Sequence, residues 1–192
     1  MFSKLKNRRI VLICVTFALS FVNISVAQND GSGEAVIDDN FTTLKDSLYQ
    51  ISYPENWQID QSGSRGTAFI IYMPSPGEVA GFKDNINLMV QDLTGYDLDL
   101  QGFTDLSLKQ LEQMIKGVEV VSNDRKNDGN HDYQRLVFSS FQAGFDLKFE
   151  QRYWVIGKKA YVLTVTYLQK NASAQEPIIE KVFDTFKPLA AE

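Results

Sequence analysis

Three short turn sequences divide the segment from Val118 to Leu168 into four strands, and this pattern constrains the fold more than any other feature. The turns are Asp128-Gly129, Ala143-Gly144 and Gly157-Lys158, and each contains a glycine that can adopt the positive φ angle of a tight hairpin turn. Because strands joined by tight hairpin turns pair in opposite directions, the sequence predicts an antiparallel sheet.

The strand between the second and third turns has one apolar and one charged face. The apolar side chains are those of Phe145, Leu147, Phe149, Tyr153 and Val155, and the charged ones are those of Asp146, Lys148, Glu150 and Arg152. Since the charges alternate in sign, we expect them to form cross-strand pairs on a solvated face rather than a binding site. Another buried row follows in the next strand, at Tyr161, Leu163, Val165 and Tyr167.

The remaining elements combine shorter strands with two amphipathic helices. Strand patterns cover residues 41–45, 48–53, 68–73 and 85–92. A helix is predicted from a cap at Thr104 or Ser107 to a stop at Gly117, and a second one from Pro177 in its first turn to Lys187-Pro188. The sequence therefore predicts an α+β fold with a central antiparallel sheet of about six or more strands and helices packed on it.

The N-terminal 27 residues have the layout of a cleaved secretory signal. A basic start is followed by an apolar run from Ile10 to Val22 and by the small-x-small sequence Ser25-Val26-Ala27. The run is shorter than the roughly 20 residues that span a bilayer, so we expect no transmembrane segment after cleavage. Cys14 and Arg8-Arg9 leave a lipoprotein signal and a twin-arginine signal as less favoured variants. The prediction is an exported protein, periplasmic or secreted.

Composition divides what remains into a tether, one domain and a short tail. Residues 28–40 are polar and read as a flexible tether, residues 41–188 as a single domain, and residues 189–192 as a tail. The first 27 residues hold four of the 19 basic residues and none of the 24 acidic ones, so the net charge changes from −5 to −9. Such an acidic chain is a poor partner for nucleic acid or anionic membrane surfaces. The chain's one cysteine, Cys14, is lost with the signal.

Catalytic and metal-binding motifs are weak. His131 lies in a polar hairpin turn with no evident partner, so we expect an exposed turn residue rather than a catalytic base. Asp97 and Asp99 could contribute to weak calcium binding, but two carboxylates fall short of the six to eight oxygens that calcium takes. We therefore predict no enzyme activity, no cofactor and no metal site.

Two long loops, Pro74–Asp84 and Leu93–Phe103, are the candidate sites for a ligand or partner. They carry the aromatic residues Phe82, Tyr96 and Phe103 together with Asp97. These four residues are the predicted binding residues, and the aromatic three could line the mouth of a hydrophobic ligand site. The competing interpretation is that they fill the core, as most aromatic side chains do.

Several phrases along the chain resemble the PsbP-like family, whose fold is shared with the Ran-binding protein Mog and the exported protein DcrB. The phrases are Tyr49-Gln50-Ile51-Ser52-Tyr53-Pro54-Glu55-Asn56-Trp57, Asp84-Asn85-Ile86-Asn87-Leu88, Tyr153-Trp154-Val155-Ile156-Gly157-Lys158-Lys159-Ala160-Tyr161 and Val182-Phe183-Asp184-Thr185-Phe186-Lys187. The resemblance covers about residues 41–188. It implies a central antiparallel sheet with helices on its faces and a non-enzymatic role in binding or assembly, without identifying a site.

Together these observations predict an exported, non-enzymatic PsbP-like protein that binds an envelope protein or assembles with an envelope complex. The alternative is a carrier of a hydrophobic small molecule or lipid in the same compartment. A small hydrolase is a third, less favoured possibility.

Overall fold

The computed structural model describes residues 40–74 and 79–189. The predicted signal, most of the tether and residues 190–192 lie outside these ranges. The strands are β1 (Phe41–Lys45), β2 (Tyr49–Pro54), β3 (Gln58–Asp60), β4 (Phe69–Tyr72), β5 (Asn85–Asp92), β6 (Glu119–Asn127), β7 (Asp132–Gln142), β8 (Phe145–Ile156), β9 (Lys159–Leu168) and β10 (Lys187–Pro188). The helices are α1 (Leu100–Met114) and α2 (Ala172–Asp184).

The strands form two antiparallel sheets. Seven of them make the large sheet in the order β3-β4-β5-β9-β8-β7-β6, and three make a small sheet in the order β1-β2-β10. The four strands predicted from the three turns are β6 to β9, and they are neighbours in the large sheet. The predicted α+β fold with an antiparallel sheet and packed helices is confirmed.

Both faces of the large sheet are covered at its central strands. On one face, Phe103 and Leu111 of α1 and the following residue Ile115 pack against side chains of β7 and β8. On the other face, α2 and the small sheet cover the buried row of β9. This row contains the four predicted residues Tyr161, Leu163, Val165 and Tyr167. Because each face is covered, β8 and β9 are buried on both sides, unlike a sheet with one solvated face.

Tight turns set the register of β6 to β9. Ala143 and Gly144 form the two-residue turn between β7 and β8, with φ angles of 48° and 90°, as in a type I′ hairpin. The pairing of Gln142 with Phe145 on either side of this turn fixes which residues of β7 and β8 share a face.

Helix α1 begins earlier than the predicted cap. Its N-cap is Asp99, whose Oδ1 accepts a hydrogen bond from the Gly102 N–H at 2.8 Å. The two expected caps are instead buried within the helix, where Thr104 and Ser107 donate to the Leu100 and Phe103 carbonyls. The predicted second loop is therefore shorter, and Phe103 belongs to the helix.

The C-terminal elements also differ in detail from the sequence prediction. Helix α2 begins at Ala172, so Pro177 lies inside it rather than in its first turn. Lys187-Pro188 does not merely end the helix, because it pairs with Gln50 and Tyr49 of β2 as strand β10. The three-residue strand β3 was absent from the prediction, since a segment this short has no clear alternation.

The prediction of a solvated charged face on β8 holds at Asp146, which is exposed, but is wrong at Glu150 and Arg152. The expected cross-strand pairing is present between Arg135 and Glu150. Glu150 is 7% exposed and Arg152 is 3% exposed. Alternation along a strand shows that two sets of residues point to opposite sides, but it does not show what packs on each side. Here α2 lies over the charged side and contributes carboxylates of its own.

Candidate functional site

A cluster of charged residues joins α2 to the large sheet. Arg152 donates to Glu150 Oε1 at 3.0 Å, to Glu180 Oε2 at 2.7 Å and to Asp184 Oδ1 at 3.2 Å. Arg135, on β7, donates to the other oxygen of Glu150 at 2.5 Å. The Arg152 guanidinium also lies over two aromatic rings, those of Tyr133 and Phe183. We call this set of residues the Arg152 cluster.

The electrostatics of the Arg152 cluster indicate a structural role. Burial alone would lower the pKa of Arg152, but the carboxylates of Glu150 and Glu180 reverse that effect and raise it. Every guanidinium nitrogen of Arg152 has a carboxylate acceptor, so the buried charge is compensated. Since the cluster is closed by its own partners, it fixes the position of α2 on the sheet.

A buried carboxylate anchors the loop before β5. Asp84 is 0% exposed and accepts hydrogen bonds from the Leu168 N–H, Asn171 Nδ2 and Gln175 Nε2 at 3.0, 3.0 and 3.2 Å. These donors lie at the end of β9 and in the entry to α2. Asp84 therefore joins three parts of the chain and is a structural residue rather than an accessible acid.

The described residues provide little for catalysis. His131 is half-buried in the β6–β7 turn, where its backbone N–H donates to Asp128 Oδ1. Burial raises the pKa of Asp128, but hydrogen bonds from His131 N, Asn130 N and Trp154 Nε1 outweigh this and lower it. In residues 40–74 and 79–189, no three His, Cys, Asp or Glu side chains are grouped closely enough to hold a metal ion.

A groove lies at the corner of the sheet where β7 turns into β8. It has a volume of about 730 Å³ and is open to solvent. Apolar lining comes from Phe141, Phe145, Leu147 and Leu168, and Lys170 and Asp146 contribute charge. We call it the corner groove. A smaller cavity of about 160 Å³, lined by Phe82 among others, lies beside Met73 and Pro74.

Exposed apolar side chains lie around the same corner, on both sides of the sheet. Among the described residues, the large hydrophobic side chains classed as exposed are those of Met114, Val120, Val121 and Phe141. Met114 ends α1, the two valines follow Glu119 at the start of β6, and Phe141 lies two residues beyond Ser139, the β7 partner of Glu119. Val120 is on the Phe138 side of the sheet and Phe141 is on the opposite side. We call these four residues the apolar corner. Exposed large apolar residues grouped around one part of a surface are typical of an interaction site.

The structure places two of the four predicted binding residues, Phe82 and Phe103, in the same core cluster and the other two in the loop before α1. Phe103 is fully buried and packs edge-on against Tyr153. Phe82 is also buried, and its ring lies 5.7 Å from that of Phe145, which lines the corner groove. Tyr96 is half-buried and Asp97 is exposed, both in the loop before α1. Phe82 is therefore next to a groove-lining residue, and Phe103 shares its core cluster with the groove-lining Leu147 and Leu168.

Sequence reasoning missed the residues that line the corner groove. One signal was present: Phe141 is an aromatic residue beside the turn Ala143-Gly144, on the strand face opposite to the buried Leu136 and Phe138. An aromatic residue out of register with the core row needs either a covering element or a partner. Here it is 66% exposed.

Comparisons with known proteins identify the fold. No family profile and no curated protein sequence matches the chain. Several solved structures do, among them CyanoP, the PsbP of the cyanobacterium Synechocystis, with a TM-score of 0.58 at 13% identity over 83% of this chain and 98% of that one.

Two further structures have similar scores. LpqN of Mycobacterium tuberculosis, described as involved in cell envelope biogenesis, has a TM-score of 0.61 at 13% identity over 79% of this chain and 91% of that one. A protein of unknown function from Pseudomonas aeruginosa, described as a putative regulator, has a TM-score of 0.57 at 17% identity over 78% of this chain and 98% of that one. At such identities the likeness concerns the fold alone. The chain has a PsbP-like fold.

Proposed function

We propose that this chain is an exported, non-enzymatic protein that binds an envelope protein or assembles with an envelope complex. The observation that carries the proposal is the apolar corner, because four large hydrophobic side chains are exposed around one corner of the fold, and one of them, Phe141, lines the corner groove. The leader-like N-terminus supports export. In the described residues, neither helix is long and apolar enough to span a bilayer.

The structural neighbours add support of a general kind. LpqN is described as taking part in cell envelope biogenesis, and none of the three neighbours is described by a catalytic activity. The chemistry of the described residues is consistent with a binding role, since the charged residues of the Arg152 cluster pair with one another.

Site-specific photo-crosslinking in the native host tests the proposal. A photoreactive amino acid replaces Phe141, and a matched control replaces Ser173, which is exposed on α2. We expect a discrete envelope protein to be captured at position 141 and not at position 173, and Val121→Ser to weaken that capture. Equal capture at both positions would contradict the assignment of the apolar corner. Turnover of ester, glycoside or peptide substrates, lost on His131→Ala, would refute the non-enzymatic role.

The corner groove favours a second candidate function, a carrier of a hydrophobic ligand. Its volume of about 730 Å³ lies within the range of small-molecule sites, and four of its lining residues are large and apolar. Native mass spectrometry after mild extraction should show a bound mass that Phe141→Arg removes, with Glu112→Arg on the exposed side of α1 as the control. Protein that is repeatedly bare would refute the carrier role.

A further inference from the structure

The strand at the outer edge of the large sheet carries charges that complement those of the same strand in a second copy of the chain. Strand β6 ends the strand order, so in the part of the chain that the structure describes its second edge faces no other strand. Most of its nine residues are exposed. A long strand with one unpaired edge can accept another strand by backbone hydrogen bonding.

The register of β6 on β7 shows which side chains share a face. One face of β6 carries Glu119, Ser122, Asp124 and Lys126. Their β7 partners are Ser139, Val137, Arg135 and Tyr133, alternate residues that point to the same side of the sheet. Val120, Asn123 and Arg125 lie opposite Phe138, Leu136 and Gln134, on the other face. A bulge between Val120 and Ser122 explains why Glu119 and Lys126 share a face although seven positions separate them.

This register makes Asn123 the centre of a charge-complementary arrangement. Asn123 lies opposite Leu136 of β7. The β7 partners of Glu119 and Lys126 are three residues from Leu136, one on each side, so Glu119 and Lys126 are equally far from Asn123 along the strand. If two copies of β6 pair antiparallel about a two-fold axis at Asn123, Glu119 of each copy faces Lys126 of the other. Both residues are exposed and form no ion pair within the described residues.

Neighbouring registers are electrostatically worse. An axis at Asp124 or at Arg125 places identical charges directly opposite each other, which destabilises a strand pair. An axis at Ser122 brings Glu119 opposite Asp124. With the axis at Asn123, two ion pairs form and no like charges lie opposite each other. Ser122 then lies opposite Asp124, and Val120 lies opposite Arg125.

We propose that a second copy of this chain pairs with β6 through this register, so that two seven-stranded sheets join into one continuous sheet. The interaction is isologous, as a two-fold interface requires. The area buried by edge pairing is small, so the association is concentration-dependent and weakened by salt. Because Val120 and Val121 of the apolar corner lie in β6, the dimer is tested at Glu119, Asn123 and Lys126, which are outside the apolar corner.

Charge reversal tests the register directly. Sedimentation velocity over a roughly hundredfold range of concentration should show a monomer–dimer equilibrium for the full chain. Glu119→Lys and Lys126→Glu should each weaken the dimer by about tenfold or more, since each places like charges opposite each other twice. The two single variants mixed together, and the double variant alone, should both recover dimer. A chain that stays monomeric, or single variants that dimerise as the wild type does, would overturn the proposal.

Cysteine crosslinking provides a second readout. At a two-fold axis the Cα atoms of facing residues lie about 4.5–5.5 Å apart, within disulfide range, so Asn123→Cys should give a covalent dimer on mild oxidation. Glu119→Cys is the matched control, because the two copies of that position lie about 20 Å apart along the strands. Cys14→Ser in all variants leaves the introduced thiol as the one cysteine. If Asn123→Cys crosslinks no better than Glu119→Cys, the proposed register is wrong. That result would favour a strand of a different protein as the partner of β6.

Discussion

At the scale of single residues, the ion pairs of Arg152 differ from those on the surface because the guanidinium is removed from water. Its side chain is 4% exposed, and three carboxylates and two aromatic rings surround it. Removing one partner of a buried ion pair leaves the remaining charges without compensation, and this costs more than the pair contributes.

We therefore expect Arg152→Ala to reduce the free energy of unfolding by about 3 kcal/mol. Glu150 would keep Arg135 as a partner, whereas Glu180 and Asp184 would lose their link to the sheet. Arg125→Ala is the matched control, because the Arg125–Asp132 pair is about half-exposed and its loss should cost less than about 1 kcal/mol. Urea unfolding followed by circular dichroism measures both. Equal costs for the two variants would show that the Arg152 cluster does not hold α2.

The same residues show how far sequence reasoning reaches. The alternation of Glu150 and Arg152 with the apolar residues of β8 could be read directly, and their side of the strand was predicted correctly. What covers that side depends on α2, whose Glu180 is 30 positions from Glu150 along the chain, and no local pattern records that packing. The burial of Asp84 was missed for a similar reason, since its three donors lie more than 80 positions away.

At the scale of elements, helix α2 is attached to the sheet by a second polar contact besides the Arg152 cluster. Glu176 Oε1 accepts hydrogen bonds from Lys148 Nζ at 2.6 Å and from the Tyr167 hydroxyl at 3.1 Å. The hydrogen bond from Lys148 is the largest cause of the lowered pKa of Glu176. Burial raises the pKa of the Tyr167 hydroxyl, and the Glu176 carboxylate raises it further, so Tyr167 remains a donor at neutral pH.

This contact makes the attachment of α2 dependent on pH. The pKa of Glu176 is lower in the folded than in the unfolded chain, so its contribution is fully present above the unfolded value of about 4.3. It is lost as the pH falls through the folded value. The difference in urea midpoint between wild type and Glu176→Gln should therefore be larger at pH 7 than at pH 3.

Glu112→Gln is the control for this measurement, because Glu112 is exposed on α1 and forms no ion pair within the described residues. Its midpoint should differ from wild type by the same small amount at both values of pH. A gap for Glu176→Gln that stays constant from pH 7 to pH 3 would mean that ionisation of Glu176 does not contribute to the attachment.

The boundaries of strands and helices were predicted correctly where the local residue types alone specify the structure. The turns between β6 and β9 were found because Gly129, Gly144 and Gly157 all have positive φ angles, as short hairpin turns need. The start of α1 was missed because Asp99, Thr104 and Ser107 are all residue types that cap helices. The choice among them depends on burial, which places Thr104 and Ser107 inside and leaves Asp99 at the exposed end.

At the scale of the whole molecule, the strand order divides the fold into a buried centre and lightly covered margins. Strands β8 and β9 have a neighbouring strand on each side and a covering layer on each face. The small sheet is different: β1 is mostly exposed and pairs with β2 alone, and β10 is two residues long. Local opening needs less free energy where few apolar contacts are broken.

Amide hydrogen exchange should therefore separate the two sheets. We expect amides of β8 and β9 to exchange through global unfolding, with the free energy that urea unfolding gives. Amides of β1 that bond to β2 should exchange by local opening at a free energy lower by at least about 2 kcal/mol. Raising the urea concentration should leave the β1 rates nearly constant until the global transition takes over, because local opening exposes little surface. Amides of β1 as slow as those of β8 and β9, with the same urea dependence, would show instead that the small sheet unfolds together with the large one.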